Sequence, residues 1–147
     1  MTTPVVVIRH PKERLAKCSL RPLHGRPGFT FLRATKGFRY DATGHLLLAV
    51  DAPPLTAADA GHPLLLLDST WRHLPALESC VTGAPLRRSL PGIRTAYPRI
   101  SRVFTDPPQG LASVEALYAA LAILGQEDQA LLDGYHWREE FLAQFGA

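Results

Sequence analysis

Cysteine is nearly missing from this chain: Cys18 and Cys80 are the only two among 147 residues. Two thiols cannot build the bridged framework of a small secreted scaffold, and no Cys-x-x-Cys or Cys/His cluster offers zinc ligands. His24, His45, His62, His73 and His136 do not fall at metal-ligand spacings either, so no metal is expected. Long apolar runs are also missing. Residues 46–50, residues 64–67 with Pro63, and even the nine residues 116–124 fall far short of the ~20 residues that span a bilayer. No charged-then-apolar leader opens the chain, so no secretory signal is expected. Glycine-rich nucleotide loops of the Gly-x-Gly-x-x-Gly or Gly-x-x-x-x-Gly-Lys-Ser/Thr kind do not occur, and neither does a Gly-x-Ser-x-Gly elbow. Kinase, dehydrogenase and α/β-hydrolase readings therefore lose most of their weight. With 46% apolar and 20% charged residues, the chain can form a core and is not globally disordered. These features predict a soluble, cytoplasmic protein with reduced thiols and no membrane partner, folded as a single domain over 1–147.

Carboxylates are scarce at one end and dominate the other. Residues 1–45 hold nine Lys/Arg against two Asp/Glu, residues 46–102 six against four, and residues 103–147 one against seven, leaving a net charge of +3. Residues 1–60 thus make a basic N-terminal region, and the helical region 61–147 ends acidic. Thirteen of the sixteen cations are arginine, whose guanidinium fork suits phosphate oxygens. Such polarity fits a polyanion touching one side, and equally two surfaces that attract each other.

Val5-Val6-Val7-Ile8 is a β-branched run and reads as a buried strand. Residues 10–27 read as a basic loop, Phe29-Thr30-Phe31-Leu32 as a second strand and residues 46–50 as a third, stopped by Pro53 and Pro54. Thr56 is placed to cap a short helix. Leu64-Leu65-Leu66-Leu67 is apolar on both faces, as a central parallel strand is. A short helix over 74–78 follows, then an irregular stretch with Pro85, Pro91 and Pro98, and a strand near 99–104. Val114, Leu117, Tyr118, Leu121 and Leu124 mark one apolar helix face, with Ser113 as cap, Glu115 in the first turn and Gly125 as terminator. A second helix spans 130–133, and a third carries Trp137, Phe141 and Phe145. Strands alternating with helices predict α/β architecture with a mostly parallel sheet.

Three places offer chemistry. Asp68 directly follows four leucines, with Trp71 three residues on; ligands of parallel sheets collect beyond strand carboxyl ends. The carboxylate can orient a ligand or accept a proton beside an indole that packs on a flat or cationic group, or it can simply cap the next helix while Trp71 fills core. Gly110-Leu111-Ala112-Ser113 turns into a helix whose free N–H groups can meet an anion, or serves only as a cap. Lys12, Arg14, Lys17 and Arg21 cluster after the first strand and form either an RNA phosphate track or an exposed basic loop. No base at a recognisable spacing supports Cys18 as a nucleophile.

Taken in order, these stretches resemble the small-subunit rRNA aminocarboxypropyltransferases, ribosome-biogenesis enzymes related to DTW-domain tRNA modifiers. Pro11-Lys12 with Lys17-Cys18-Ser19 is similar to that family's N-terminal segment. Leu67-Asp68-Ser69-Thr70-Trp71 resembles its Leu-Asp-Cys-Ser-Trp strand end, and Arg88-Ser89-Leu90-Pro91 its Arg-x-Leu-Pro. Leu111-Ala112-Ser113-Val114-Glu115-Ala116 resembles its helix start, and Trp137 with Phe141-Leu142 its tail. The family's Ala-Asn-Pro-Val-Asn-Tyr-Gly segment has no counterpart; residues 96–102 lack both asparagines, and the family's Leu-Ser-Pro becomes Leu48-Ala49-Val50.

The resemblance implies a SPOUT-like fold, a mostly parallel sheet flanked by helices with a C-terminal trefoil knot; a monomer is expected. It implies S-adenosylmethionine as cofactor and transfer of its 3-amino-3-carboxypropyl group to a uridine-type base in small-subunit rRNA. By the same resemblance Leu48, Val50 and Trp71 would enclose the methyl group, Ser19 with Leu111, Ala112 and Ser113 would hold the amino-acid end, and Leu90 would lie against the nucleoside. Asp68 would favour the sulfonium charge or take a proton, and Lys12, Arg14, Lys17 and Arg21 would meet RNA. Methyl transfer on the same scaffold, or RNA binding in ribosome assembly without catalysis, are the alternatives.

Overall fold

A computed structural model describes residues 3–11, 23, 25–49, 52–68, 73–90, 113–133, 135 and 138–145. Among the described residues five strands form one sheet: β1 (Val5–Arg9), β2 (Phe29–Arg33), β4 (Leu46–Leu48), β5 (Leu64–Asp68) and β7 (Leu86–Arg88). Their order is β2-β1-β5-β4-β7, and every pairing among them is parallel. Two short strands, β3 (Tyr40–Asp41) and β6 (Val81–Thr82), make a second parallel pair. Around these lie α1 (Leu74–Glu78), α2 (Ser113–Ile123), α3 (Arg138–Leu142) and 3₁₀ turns at Ala57–Asp59 and Gln129–Leu132. The α/β class with a mostly parallel sheet agrees with the sequence reading. Among the described residues no helix is long and apolar enough to cross a membrane.

β1 and β5 sit at the centre with all five residues of each buried, because both faces of the sheet are covered. Val5, Val7, Leu64 and Leu66 face a core that includes Leu117, Tyr118, Leu121, Leu131 and Phe141. Val6, Ile8, Leu65 and Leu67 face the other, with Leu77 of α1 and Tyr40 and Val81 of the small sheet. The four leucines of β5 divide equally between the two cores, each side chain worth roughly 1.5–3 kcal/mol of burial.

Three expectations change. Residues 86–88, read as irregular, form edge strand β7, whose Leu86 is exposed; an edge strand with two arginines carries no apolar alternation to betray it. α2 is not one-sided: every residue from Val114 to Leu121 is buried. Alanines on its second face allow close approach, and a helix apolar all round is an interior helix. In place of the helix expected over 130–133 stands the 3₁₀ turn Gln129–Leu132, with Asp128 accepting from Ala130 N–H at 3.0 Å. The strand expected near 99–104, Trp137, and the chain path on which a knot would depend fall at least partly outside the described residues.

Candidate active site

The carboxyl edge of a parallel sheet gathers the last residues of strands distant in sequence. Arg9 ends β1 and Asp68 ends β5, and the register sets them side by side, with Arg33 of β2 next to Arg9. Arg9 Nε donates to Asp68 Oδ2 at 3.1 Å, with side chains 11% and 12% exposed. A buried charge pair of this kind is costly to break from either side. Asp68 is the last strand residue and the N-cap position of α1 is held by His73, whose side chain makes no capping hydrogen bond, so Asp68 is not that helix's cap. The His10 N–H donates to the Asp68 carbonyl at 3.3 Å. The His10 and His73 rings stack with centroids 4.1 Å apart and planes 8° from parallel.

The apolar wall comes from the other side of β5. Leu48 ends β4, opposite Leu66 by extension of the register. It therefore lies about 8 Å from Asp68 between Cα atoms, by strand spacing and rise. Leu48 and Leu90 both pack against the α2-side core. Leu90 is held by what precedes it: the Ser89 N–H donates to Pro53 O at 2.8 Å, Leu55 N–H to Ser89 O at 2.9 Å, and Ser89 Oγ to Ala52 O at 2.7 Å. Arg88 Nε donates to Asp59 Oδ2 at 3.2 Å. The Thr56 N–H and then Arg88 hold the Asp59 carboxyl below its usual range. Ser113 is the first residue of α2 rather than the one before it. One turn in, Glu115 is fully buried and accepts from Tyr135 Oη at 3.1 Å.

Of the residues singled out from sequence, the described fold brings Leu48, Asp68 and Leu90 to one sheet edge. Lys12, Arg14, Lys17, Ser19, Arg21, Val50, Trp71, Leu111 and Ala112 lie outside the described residues. The sequence reading missed Arg9. Its signal was present: Val-Val-Val-Ile-Arg and Leu-Leu-Leu-Leu-Asp are four buried residues ending in opposite charges, and side-by-side parallel pairing brings the charges together. Glu115 with Tyr135, and His10 with His73, were missed for want of any local pattern.

No protein-family model matches the chain, and no curated protein matches it closely enough to count. Among solved structures it is similar to the SAM-dependent rRNA:acp-transferase Tsr3 from Vulcanisaeta distributa, with TM-score 0.72 and 25% identity over 97% of this chain and 79% of that one. The resemblance read from the sequence motifs and the likeness of fold thus point to the same kind of protein.

Proposed function

We propose that this chain is an S-adenosylmethionine-dependent RNA 3-amino-3-carboxypropyltransferase acting on a uridine-type base of small-subunit rRNA, as a cytoplasmic monomer of one SPOUT-like, C-terminally knotted domain. The observation that carries the reading is the juxtaposition of Asp68 with Leu48 and Leu90 at one carboxyl edge, in a fold similar to an rRNA:acp-transferase. These residues suit the cofactor chemically: a sulfonium needs an apolar wall for its methyl group and tolerates a carboxylate nearby. When bound, the cofactor supplies an aminocarboxypropyl carbon to a ring nitrogen of the base, with 5′-methylthioadenosine leaving and the N–H proton lost.

The chain's own role is orientation. Leu48, with Val50 and Trp71, shields the methyl group, so that only the aminocarboxypropyl chain faces RNA. Ser19 and the 111–113 segment hold the amino-acid end, and Leu90 supports the nucleoside. Asp68, held at Oδ2 by Arg9, keeps a fixed negative charge at the edge; a ring nitrogen of the uridine type is acidic enough to need no dedicated base. Lys12, Arg14, Lys17 and Arg21 supply phosphate contacts.

The test is product analysis after incubation with S-adenosylmethionine and deproteinised small-subunit rRNA. Release of 5′-methylthioadenosine is expected. Release of S-adenosylhomocysteine would make the chain a methyltransferase, and calorimetry showing no cofactor binding would leave only RNA binding.

A further inference from the structure

Arg9, Arg26, Arg87, Arg88 and Arg138 each form an ion pair with a carboxylate. Among the described residues the remaining cations are Arg33, Lys36 and Arg39. All three are exposed, none has a carboxylate partner among the described residues, and all lie from the last residue of β2 to the start of β3. Every other described cation has a carboxylate partner, so concentration of the unpaired cations in one short stretch is a feature of the fold.

The connection is also built to hold its shape. The Ala34 N–H donates to Arg9 O at 2.9 Å and Phe38 N–H to Thr35 O at 3.0 Å. Gly37 sits at φ +82°, the third position of a type II turn, where a side chain would be strained. Lys36 therefore stands at the tip of a defined turn. Ala34 and Phe38 pack into the second core from beneath. Asp41, the nearest carboxylate in sequence, accepts from Thr43 N–H at 3.0 Å and Thr43 Oγ1 at 2.6 Å instead of pairing with Arg39.

Two links join this patch to the candidate site. Arg33 stands one strand from Arg9 and two from Asp68 in the same register row, about 10 Å away at ordinary strand spacing. Arg33 Nη2 also donates to Pro11 O at 3.0 Å, the residue from which the basic stretch 12–21 departs. We infer that Arg33, Lys36 and Arg39 form a phosphate-contact surface, which takes the RNA backbone beside the target nucleotide. Unpaired cations on a rigid, polar turn suit a phosphate backbone; an apolar flank for membrane insertion is missing, because Phe38 faces the core.

This inference rests on the RNA-substrate reading above. Its test is the salt dependence of binding of the full chain to deproteinised small-subunit rRNA, for wild type and for Lys36→Gln/Arg39→Gln. Each lost single-strand contact lowers the log–log slope by about 0.7, so the double variant should lose about 1.4 in slope and about 25-fold in affinity at ~0.1 M salt, with 1 M as reference. Its S-adenosylmethionine affinity and urea midpoint should stay at the wild-type values. Adding Arg33→Gln should lower the slope again. Wild type binding rRNA with the double variant unchanged in slope and affinity would overturn this inference alone. Wild type failing to bind rRNA would overturn the RNA-substrate reading with it. Binding of wild type to phosphatidylserine vesicles but not to rRNA would assign the patch to a membrane surface and overturn it too.

Discussion

Replacing Arg9 with methionine keeps most of the side-chain length and removes the charge that faces Asp68. The two groups are 3.1 Å apart with side chains 11% and 12% exposed, so water cannot replace the lost guanidinium as it does at a surface pair. An abandoned buried charge costs about 3–5 kcal/mol, against a total stability of roughly 5–15 kcal/mol for a domain. The variant should therefore fold but be much weakened. With a urea slope near ~2 kcal/mol/M, its midpoint should fall by about 1.5–2.5 M. Arg9 and Asp68 both make further interactions, so either single substitution overstates the pair. A double-mutant cycle with Asp68→Asn isolates it, and a coupling of about 1.5–3 kcal/mol is expected. Equilibrium urea unfolding of wild type, both single variants and the double variant supplies all four values. A coupling below ~0.5 kcal/mol would mean that the pair behaves like a screened surface contact, and that Asp68 is not held by Arg9.

Tyr118 is buried and its hydroxyl donates to Glu127 Oε2 at 2.7 Å. Burial and then Glu127 push its pKa up to about 12. The unfolded tyrosine ionises first, so this contribution is complete below pH ~10 and fades as pH rises towards 12. Tyr118→Phe should thus be less stable than wild type by about 1 kcal/mol at neutral pH, with the gap closing in alkali; a pH-independent gap in denaturation curves would contradict the assignment. A Cβ on Gly83, at φ +88°, would overlap Asp41 Oδ1 and Thr43 N, whereas one on Gly125, at φ +84°, would meet open space. Gly83→Ala should cost about 2–4 kcal/mol and Gly125→Ala about 1, and equal melting temperatures would contradict this. Trp71→Ala should weaken S-adenosylmethionine binding about 100-fold or more in calorimetry, while Asp68→Asn should slow single-turnover transfer about tenfold or more at saturating cofactor with little change in affinity. An unchanged affinity for the first, or a rate within about twofold for the second, removes that residue from the site.

Much of the framework is legible one segment at a time. Four consecutive apolar residues at 5–8 and again at 64–67 can be buried only if both faces of a sheet are covered, and that requires helices on each side of parallel strands. Asp68 at a strand end follows from the same local pattern, and the motif order from Lys17-Cys18-Ser19 to Val114-Glu115-Ala116 points to a transferase family before any fold is considered. Edge strand β7 is hidden, because Leu86-Arg87-Arg88 buries nothing that a periodicity could report. Which strands lie together is not a local property. Arg9 meets Asp68 across 59 positions of sequence only because β5 inserts between β1 and β4, and the parallel register then aligns their last residues. Likewise Arg33, Lys36 and Arg39 look no different in sequence from Arg87 or Arg88. It is tertiary placement, with carboxylates beside the latter and, among the described residues, none beside the former, that leaves three positive charges exposed between β2 and β3.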